Sequence, residues 1–260
     1  MYSLRKFSGR AGNMGQPLPD VFATFAAAKI HFRHGSVSMI AGAPGSYKST
    51  LALNLLAGWA GHGKSALYFS ADSDEFTVAK RMASIMGGCT PDEFEADPGR
   101  YTASLARLNR VAWVYRSMNM DVIAKHIRAF DAVHGDFPDI IFADNLIDAV
   151  EDPTDWGGMI SFLRELDAMA RETKAHVCVL HHASEIWAKD HPGKPPPSWA
   201  ILGKVTQIPR LVVTVAENEG YVNIACVKNT NGPQDKFATH YQSFYVSSSL
   251  QLEAFQGVSS

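Results

Sequence analysis

The chain has 260 residues, 46% of them hydrophobic, with a formal net charge of -2 and a sequence pI near 6.5. This is enough apolar material for one large core, with two small domains as the alternative. The near-neutral balance excludes binding to nucleic acid by bulk charge, so any such contact must come from a local patch.

The three cysteines, Cys89, Cys178 and Cys226, lie far apart in mostly apolar surroundings and form no CxxC pair. They read as buried thiols in a reducing compartment, without a disulfide framework or a zinc site. The first residues lack a signal-peptide apolar core, and no run approaches the length that spans a bilayer. A soluble, cytoplasmic protein is expected.

Residues 1–19 mix Gly, Pro, Ser, Arg and Lys with little apolar periodicity, which predicts a loose arm. Val21 to Ile30 is alanine-rich and predicts a short helix, packed on its own domain or on a neighbouring subunit. His34-Gly35 then turns the chain into a first core strand, Ser36 to Ala41.

Between that strand and a helical run, Leu51 to Ala60, stands Gly42 to Thr50, G-A-P-G-S-Y-K-S-T. A glycine-rich turn from strand to helix points backbone N–H groups at one spot, where the helix dipole also favours negative charge. The phosphate-loop signature asks for Gly, four residues, Gly, Lys and then Ser or Thr. Gly42, Lys48 and Ser49 fall at that spacing, but Tyr47 stands where the second Gly belongs. A bulky residue there bears on loop conformation and affinity. In this reading Gly42, Ala43, Pro44, Gly45, Ser46, Tyr47, Lys48, Ser49 and Thr50 bind nucleotide. Lys48 neutralises the outer phosphates, Ser49 gives its hydroxyl to Mg²⁺, and Gly42 and Gly45 allow close approach of the backbone.

A second strand, Ala66 to Ala71, ends in Asp72, Asp74 and Glu75, and a helix over Glu75 to Met86 follows. Thr90 to Arg110 is polar and turn-rich; Val111 to Tyr115 predicts a strand and Met120 to Val133 a helix. The apolar strand Asp139 to Ala143 runs into Asp144, and a long amphipathic helix spans Trp156 to Thr173. His176 to Leu180 is another strand and delivers His181 and His182. Ala183 to Gly203, with Pro195 to Pro197, predicts a mobile loop. Leu211 to Ala216, Tyr221 to Lys228 and Phe237 to Val246 predict hairpin-connected strands. Short buried strands alternating with helices imply an α/β fold, a mostly parallel sheet covered on both faces with a C-terminal antiparallel extension.

Ligands of such sheets collect outside the carboxyl ends of the strands. The phosphate loop, Asp72 to Glu75, Asp144 and His182 all fall there. Asp144 suits a carboxylate that holds Mg²⁺ through water, or else a strand-end turn residue or helix cap. Asp72 positions or deprotonates the attacking water, with Glu75 as its substitute, or else Asp72, Ser73 or Asp74 caps the next helix. Strand alternation sends one histidine to the site and one into packing, with His182 the candidate for a γ-phosphate and His181 for the core.

The motifs G-A-P-G-S-Y-K-S-T, Y-F-S-A-D-S-D-E, D-I-I-F-A-D-N, V-C-V-L-H-H and V-K-N-T-N-G-P, in this order, resemble those of the RecA/DnaB-like P-loop ATPases. The likeness covers Phe32 to Phe244 and is greatest to the short DnaB-type and RepA-type helicase cores of phages and plasmids. It implies a RecA-like P-loop NTPase core over residues 32–260, preceded by the arm and short helix of residues 1–31. A core-only member, without the extra helical domain of replicative helicases, is expected. It also implies ATP and Mg²⁺ as cofactors, Lys48 and Ser49 as phosphate and metal residues, Asp144 as the second metal carboxylate and His182 as the switch residue. Asp72 falls where the family has a catalytic glutamate. The family's K-x-R-N-G-P segment reaches the neighbouring subunit's nucleotide; here Lys228 is kept and Thr230 replaces the Arg, so Lys228 acts alone or another residue serves. A homo-oligomer, as hexameric ring or filament, follows from the resemblance.

Three functions are weighed. The first is an ATP-dependent motor on single-stranded DNA in replication or recombination, helicase-like or recombinase-like. Its DNA contacts would be Lys189, Lys194 and Lys204, with Trp187 or Trp199 as stacking platforms. The second is a slow nucleotide-gated regulator or loader. The third is a metal-dependent nuclease using Asp72, Asp74, Glu75, Asp144 and His182.

Overall fold

A computed structural model describes residues 11–71 and 73–255. In chain order its elements are α1 (Ala23–Ala27), β1 (Val37–Gly42), α2 (Lys48–Gly61), β2 (Ala66–Ser70), α3 (Glu75–Gly87), α4 (Pro91–Ala96) and α5 (Thr102–Leu105). Then follow β3 (Val111–Val114), α6 (Met120–His134), β4 (Ile140–Asp144), α7 (Trp156–Thr173), β5 (His176–His182) and α8 (Glu185–Asp190). The chain ends in β6 (Leu211–Asn218), β7 (Tyr221–Asn229), β8 (Gln242–Val246) and β9 (Leu252–Ala254).

The strands form one sheet in the order β3-β2-β4-β5-β1-β6-β7-β8-β9. Strands β1 to β6 run parallel and β7 to β9 antiparallel, as the alternation of elements predicts. The core strands are buried on both faces, which is why they read as continuous apolar runs. On one face α1, α2 and α3 pack Phe25, Leu51, Leu55, Trp59 and Met82 against Ile40, Tyr68, Phe142 and Phe244. On the other, α6 and α7 set Ile127, Leu163 and Leu166 on Met39, Phe69 and Val179. Each fully buried Leu or Ile there contributes roughly 1.5–3 kcal/mol.

Helix ends follow local chemistry. Asp74 caps α3, accepting from the backbone N–H (2.9 Å) and hydroxyl (2.7 Å) of Thr77, and these bonds hold its carboxyl below the usual range. Asn119 and Asp155 cap α6 and α7 in the same way. Gly88 and Gly135 end α3 and α6 in the left-handed conformation.

Three segments differ from expectation. The arm is tied down over its described part: Pro17 bridges to Arg33, and Trp59 donates its indole N–H to the Pro19 carbonyl at 2.9 Å. Residues 1–10 lie outside the described residues. Thr90 to Arg110 is helical rather than turn-rich, because Thr90 and Glu93 form a capping box and Phe94 and Tyr101 bury a small core of their own with Cys89. The segment 183–203 contains α8 and is pinned at both ends, by the Ala183–Ile201 bridge and by a bond from the Ser184 N–H to the Ala200 carbonyl at 2.8 Å.

Candidate nucleotide site

The phosphate loop leaves β1, the middle strand of the nine, and opens α2. Gly42 is required by space: a Cβ there would meet Ser46 Oγ and lie 2.7 Å from both the carbonyl oxygen and Cγ2 of Val215. Gly45 and Tyr47 both take left-handed backbone conformations, with φ of 76° and 66°. The Gly of the usual signature is therefore a conformational demand, and Tyr47 meets it at a steric cost of roughly 1–2 kcal/mol. Its ring is half-buried against the core cluster of α2, which offsets that cost.

Lys48 is buried, and its ammonium donates to the Ala43 carbonyl at 2.9 Å, holding the side chain along the inside of the loop. Ser46 Oγ is buried without a hydrogen-bond partner among the described residues. A buried hydroxyl, an ammonium and the first N–H groups of α2 converge on one concavity. That donor set fits a nucleotide phosphate chain.

Two clefts flank the loop. One, of about 330 Å³, is lined by Gly45 to Thr50 with Arg81 of α3 and Leu250 facing them. The other, of about 390 Å³, lies between Ala43 to Ser46, the end of β6 and residues 188–196. Arg81 and Leu250 escaped sequence reasoning. Arg81 sits mid-helix among ordinary surface charges, and Leu250 reaches the loop only through the fold. Asn54 of α2 binds the Leu250 carbonyl and the Leu252 N–H, at 2.9 and 3.1 Å.

Asp144 ends β4, half-buried. Strand β5 separates β4 from β1, so Asp144 stands about 10 Å across the sheet from the root of the loop. That spacing suits a carboxylate reaching a hydrated cation beside Ser49. Asp144 also accepts a hydrogen bond from the Tyr68 hydroxyl at 2.8 Å. Burial first, and then the Asp144 charge, push the Tyr68 phenol well above its ordinary value, so it stays a donor.

The two histidines divide as alternation predicts. His181 is fully buried, with Nε2 3.1 Å from the Leu202 carbonyl; burial above all lowers its pKa to about 4. His182, paired in register with Gly42, reaches the rim, and the Asn145 amide donates to its Nε2 at 2.7 Å. Asn145 Oδ1 is buried and has no partner among the described residues.

Other expected site residues stand elsewhere. Asp72 lies outside the described residues, and the cap for which it was a candidate falls to Asp74. Glu75 is not brought to the phosphate loop. It faces Tyr115 beyond β3, four strands from β1, and with burial it helps to push that phenol up to about 12. Its place at the start of α3 follows the edge of the sheet rather than its centre. Lys228 is at the opposite end of the sheet from its own loop: it pairs with Val212, which lines up with Met39, whereas Gly42 lines up with Val215. Its ammonium donates to the carbonyls of Thr206 and Gln207, at 2.8 and 3.0 Å. Burial and then Arg210 lower its pKa. Lys189, Lys194 and Lys204 are exposed, and Lys194 lines the second cleft.

A phosphate loop on the central strand, an acidic strand end two places away and a histidine on the strand between define a P-loop ATPase with a RecA/DnaB-like core. The family model described as AAA domain matches residues 28–185, and the chain belongs to that family. It is 29% identical over 279 residues to the gene 65 protein of Mycobacterium phage L5, covering 98% of this chain and 99% of that protein. It is also 29% identical to the gene 65 protein of Mycobacterium phage D29, over 73% of this chain and 88% of that one. Among solved structures, one ATPase domain superposes with a TM-score of 0.79 at 14% identity, over 96% of this chain and 95% of that one. A DnaB-like replicative helicase, solved in a study of its interactions with primase, gives 0.78 at 14% identity over 96% of this chain. The present chain spans 64% of that helicase's length. At these identities the superpositions establish the shared fold alone. Among the described residues no helix is long and apolar enough to cross a membrane.

Proposed function

We propose that this chain binds ATP with Mg²⁺, hydrolyses it, and uses the cycle to act on single-stranded DNA in phage replication or recombination. The observation that carries the proposal is the hydrogen bond from Asn145 to His182. It ties the acidic end of β4 to the strand that enters segment 183–203, so a change at the phosphates has a covalent and hydrogen-bonded route to that segment.

In this reading the backbone of Gly42 to Ser49 and the Lys48 ammonium hold the phosphates, and Ser49 and Asp144 hold Mg²⁺. Bound there, Mg²⁺ supplies charge neutralisation for the transferred phosphoryl group. Asp72 is assigned to orienting the attacking water. His182 senses the terminal phosphate through its ring, whose Nε2 accepts from Asn145. The nucleoside is assigned to the cleft between Arg81 and Leu250. Lys189, Lys194 and Lys204 are assigned to DNA phosphates.

Lys228 lies roughly 10 Å along the strands from the level of its own phosphate loop, so a catalytic role for it belongs to a neighbouring copy. This reading therefore includes assembly into a ring or filament. A slower, regulatory ATPase is the second reading. It is favoured by the Lys228 ammonium being held by its own chain and by Thr230 standing in the arginine position. The nuclease reading draws on Asp72, Glu75, Asp144 and His182, residues that already have roles in the ATPase reading.

The test is ATP hydrolysis by the purified full chain with and without single-stranded DNA, beside Lys48→Ala. Hydrolysis that rises with DNA and is lost in the variant supports the motor. Hydrolysis indifferent to DNA, with no salt-sensitive DNA binding, overturns it in favour of the regulator.

A further inference from the structure

Segment 183–203 carries two tryptophans in different surroundings. Trp187 is half-buried, stacked on His191 with ring centres 3.8 Å apart and 12° between planes. Its indole N–H points at the Lys194 carbonyl, 3.3 Å away. Both its face and its polar edge are used within the loop. Trp199 is 67% exposed, although it sits on a fixed base. Its neighbours Pro195 to Pro197, Ala200 and Ile201 are buried. The Ser198 N–H is bonded to the Lys236 carbonyl and the Ala200 N–H to the Pro197 carbonyl, each at 2.9 Å. The Trp199 ring meets Trp187 edge-on, at 5.2 Å and 89°, which steadies it while leaving indole surface open.

A rigid, exposed indole is expensive in water and serves recognition at little entropic cost. One tryptophan offers at most about 250 Å². A stable protein partner needs roughly 800 Å² from each side, more than this ring offers alone. Ile186 and Phe237 are exposed, on the same segment and beside its Lys236 anchor respectively, and the oligomeric state of Trp199→Ala separates that occupant from a base. The ring matches the face of a single base. Exposed Lys189 and Lys194 lie on the same segment, balanced by exposed Glu185 and Asp190, and exposed Lys204 follows it, so the open indole face rather than a basic patch is the feature that selects a base.

We propose that Trp199 is a base-stacking platform for single-stranded nucleic acid, and that Trp187 with His191 is the internal buttress that holds it in place. The proposal rests on the DNA-acting reading above and specifies its contact. Ala188, His191 and Lys194 of the same segment line the cleft beside Ala43 to Ser46.

The experiment is fluorescence anisotropy of a labelled thymidine oligonucleotide, titrated with the full chain in a non-hydrolysable ATP analogue and Mg²⁺. A matched oligonucleotide of abasic sites is titrated in parallel. Trp199→Ala is expected to weaken binding to the thymidine strand by roughly 5- to 150-fold. It should leave binding to the abasic strand unchanged, and Trp199→Phe should restore most of the loss. Unchanged thymidine binding by Trp199→Ala, or equal losses on both strands, overturns the platform while leaving the DNA-acting reading intact. A wild-type chain that binds neither strand at low salt overturns both. A change in oligomeric state in Trp199→Ala without a change in DNA affinity assigns the ring to a contact between copies and also overturns the proposal.

Discussion

Asn145 and His182 join the ends of neighbouring strands β4 and β5 through a 2.7 Å hydrogen bond in which the amide donates and the imidazole Nε2 accepts. An NH₂ group can only donate, so a bond in this sense requires the Nε2 of His182 to be unprotonated. Losing one such neutral bond costs about 1 kcal/mol. Asn145→Ala is therefore expected to leave ATP affinity within about threefold, and to reduce the DNA-stimulated rate by about fivefold or more. Steady-state hydrolysis with and without DNA, beside nucleotide titration, reads both quantities. Equal DNA stimulation in the variant would remove the proposed link.

The phosphate loop makes different demands at its glycines. Gly42→Ala forces a methyl group against Val215 and Ser46, and overpacking of this kind costs about 1–3 kcal/mol. Gly45→Ala meets nothing within 4 Å but keeps a φ of 76°, so its cost is conformational, about 1 kcal/mol. Denaturant unfolding should rank Gly42→Ala as the more damaging.

At Tyr47 the left-handed backbone separates two replacements. Tyr47→Gly restores the common signature and suits a φ of 66°, so nucleotide affinity should change by less than about threefold. Tyr47→Ile places a β-branched side chain in the same conformation and should destabilise the loop by about 1–2 kcal/mol, with a matching loss of affinity. Calorimetric titration with ATP measures each. A collapse of binding in Tyr47→Gly would mean that the ring itself contacts the nucleotide.

Tyr68→Phe removes the hydroxyl that donates to Asp144 and leaves the ring stack on Phe142, with centres 4.9 Å apart. Stability should fall by about 1.5–3 kcal/mol, the range for a bond to a charged acceptor. Asp144→Asn keeps the shape and removes the charge. It is expected to abolish Mg²⁺-dependent hydrolysis while Tyr68→Phe retains it. Titrating Mg²⁺ against rate for both variants distinguishes a structural carboxylate from one that holds the metal.

His176 sets a pH dependence. It is fully buried; its Nδ1 faces the Arg33 carbonyl at 2.9 Å and its Nε2 the Ser38 hydroxyl at 2.9 Å, and burial lowers its pKa to about 4. The unfolded chain takes up this proton first as pH falls below about 6.5. Stability is therefore full above that value and declines between pH 6.5 and 4, by on the order of 3 kcal/mol from this group. His181, also lowered to about 4, acts in the same direction. Unfolding free energy measured across this range should flatten in His176→Gln if that variant folds. An unchanged slope in both His176→Gln and His181→Gln would assign the dependence to other groups.

The sequence by itself determined the parallel core, the phosphate loop and the strand ends that meet at its rim. Each depends on local pattern: continuous apolar runs, a strand-loop-helix turn and period-two alternation, which correctly sent His181 inward and His182 to the rim. The span of α7 was readable because its apolar residues recur at helical spacing along Trp156 to Thr173. Only the tertiary structure decided which distant groups meet. Strand order carried Glu75 to the edge beside Tyr115 and set Lys228 at the far end of the sheet, although both lie in motifs that suggested the site. It also brought Arg81 and Leu250 over the loop, gave Asp144 its Tyr68 donor, and folded Ala183 to Gly203 onto buried prolines so that Trp187 is used internally and Trp199 is presented. The physical reason is that periodicity reports the face on which a residue lies. Neighbours across a sheet are chosen by strand order and packing, which no local stretch of chain encodes.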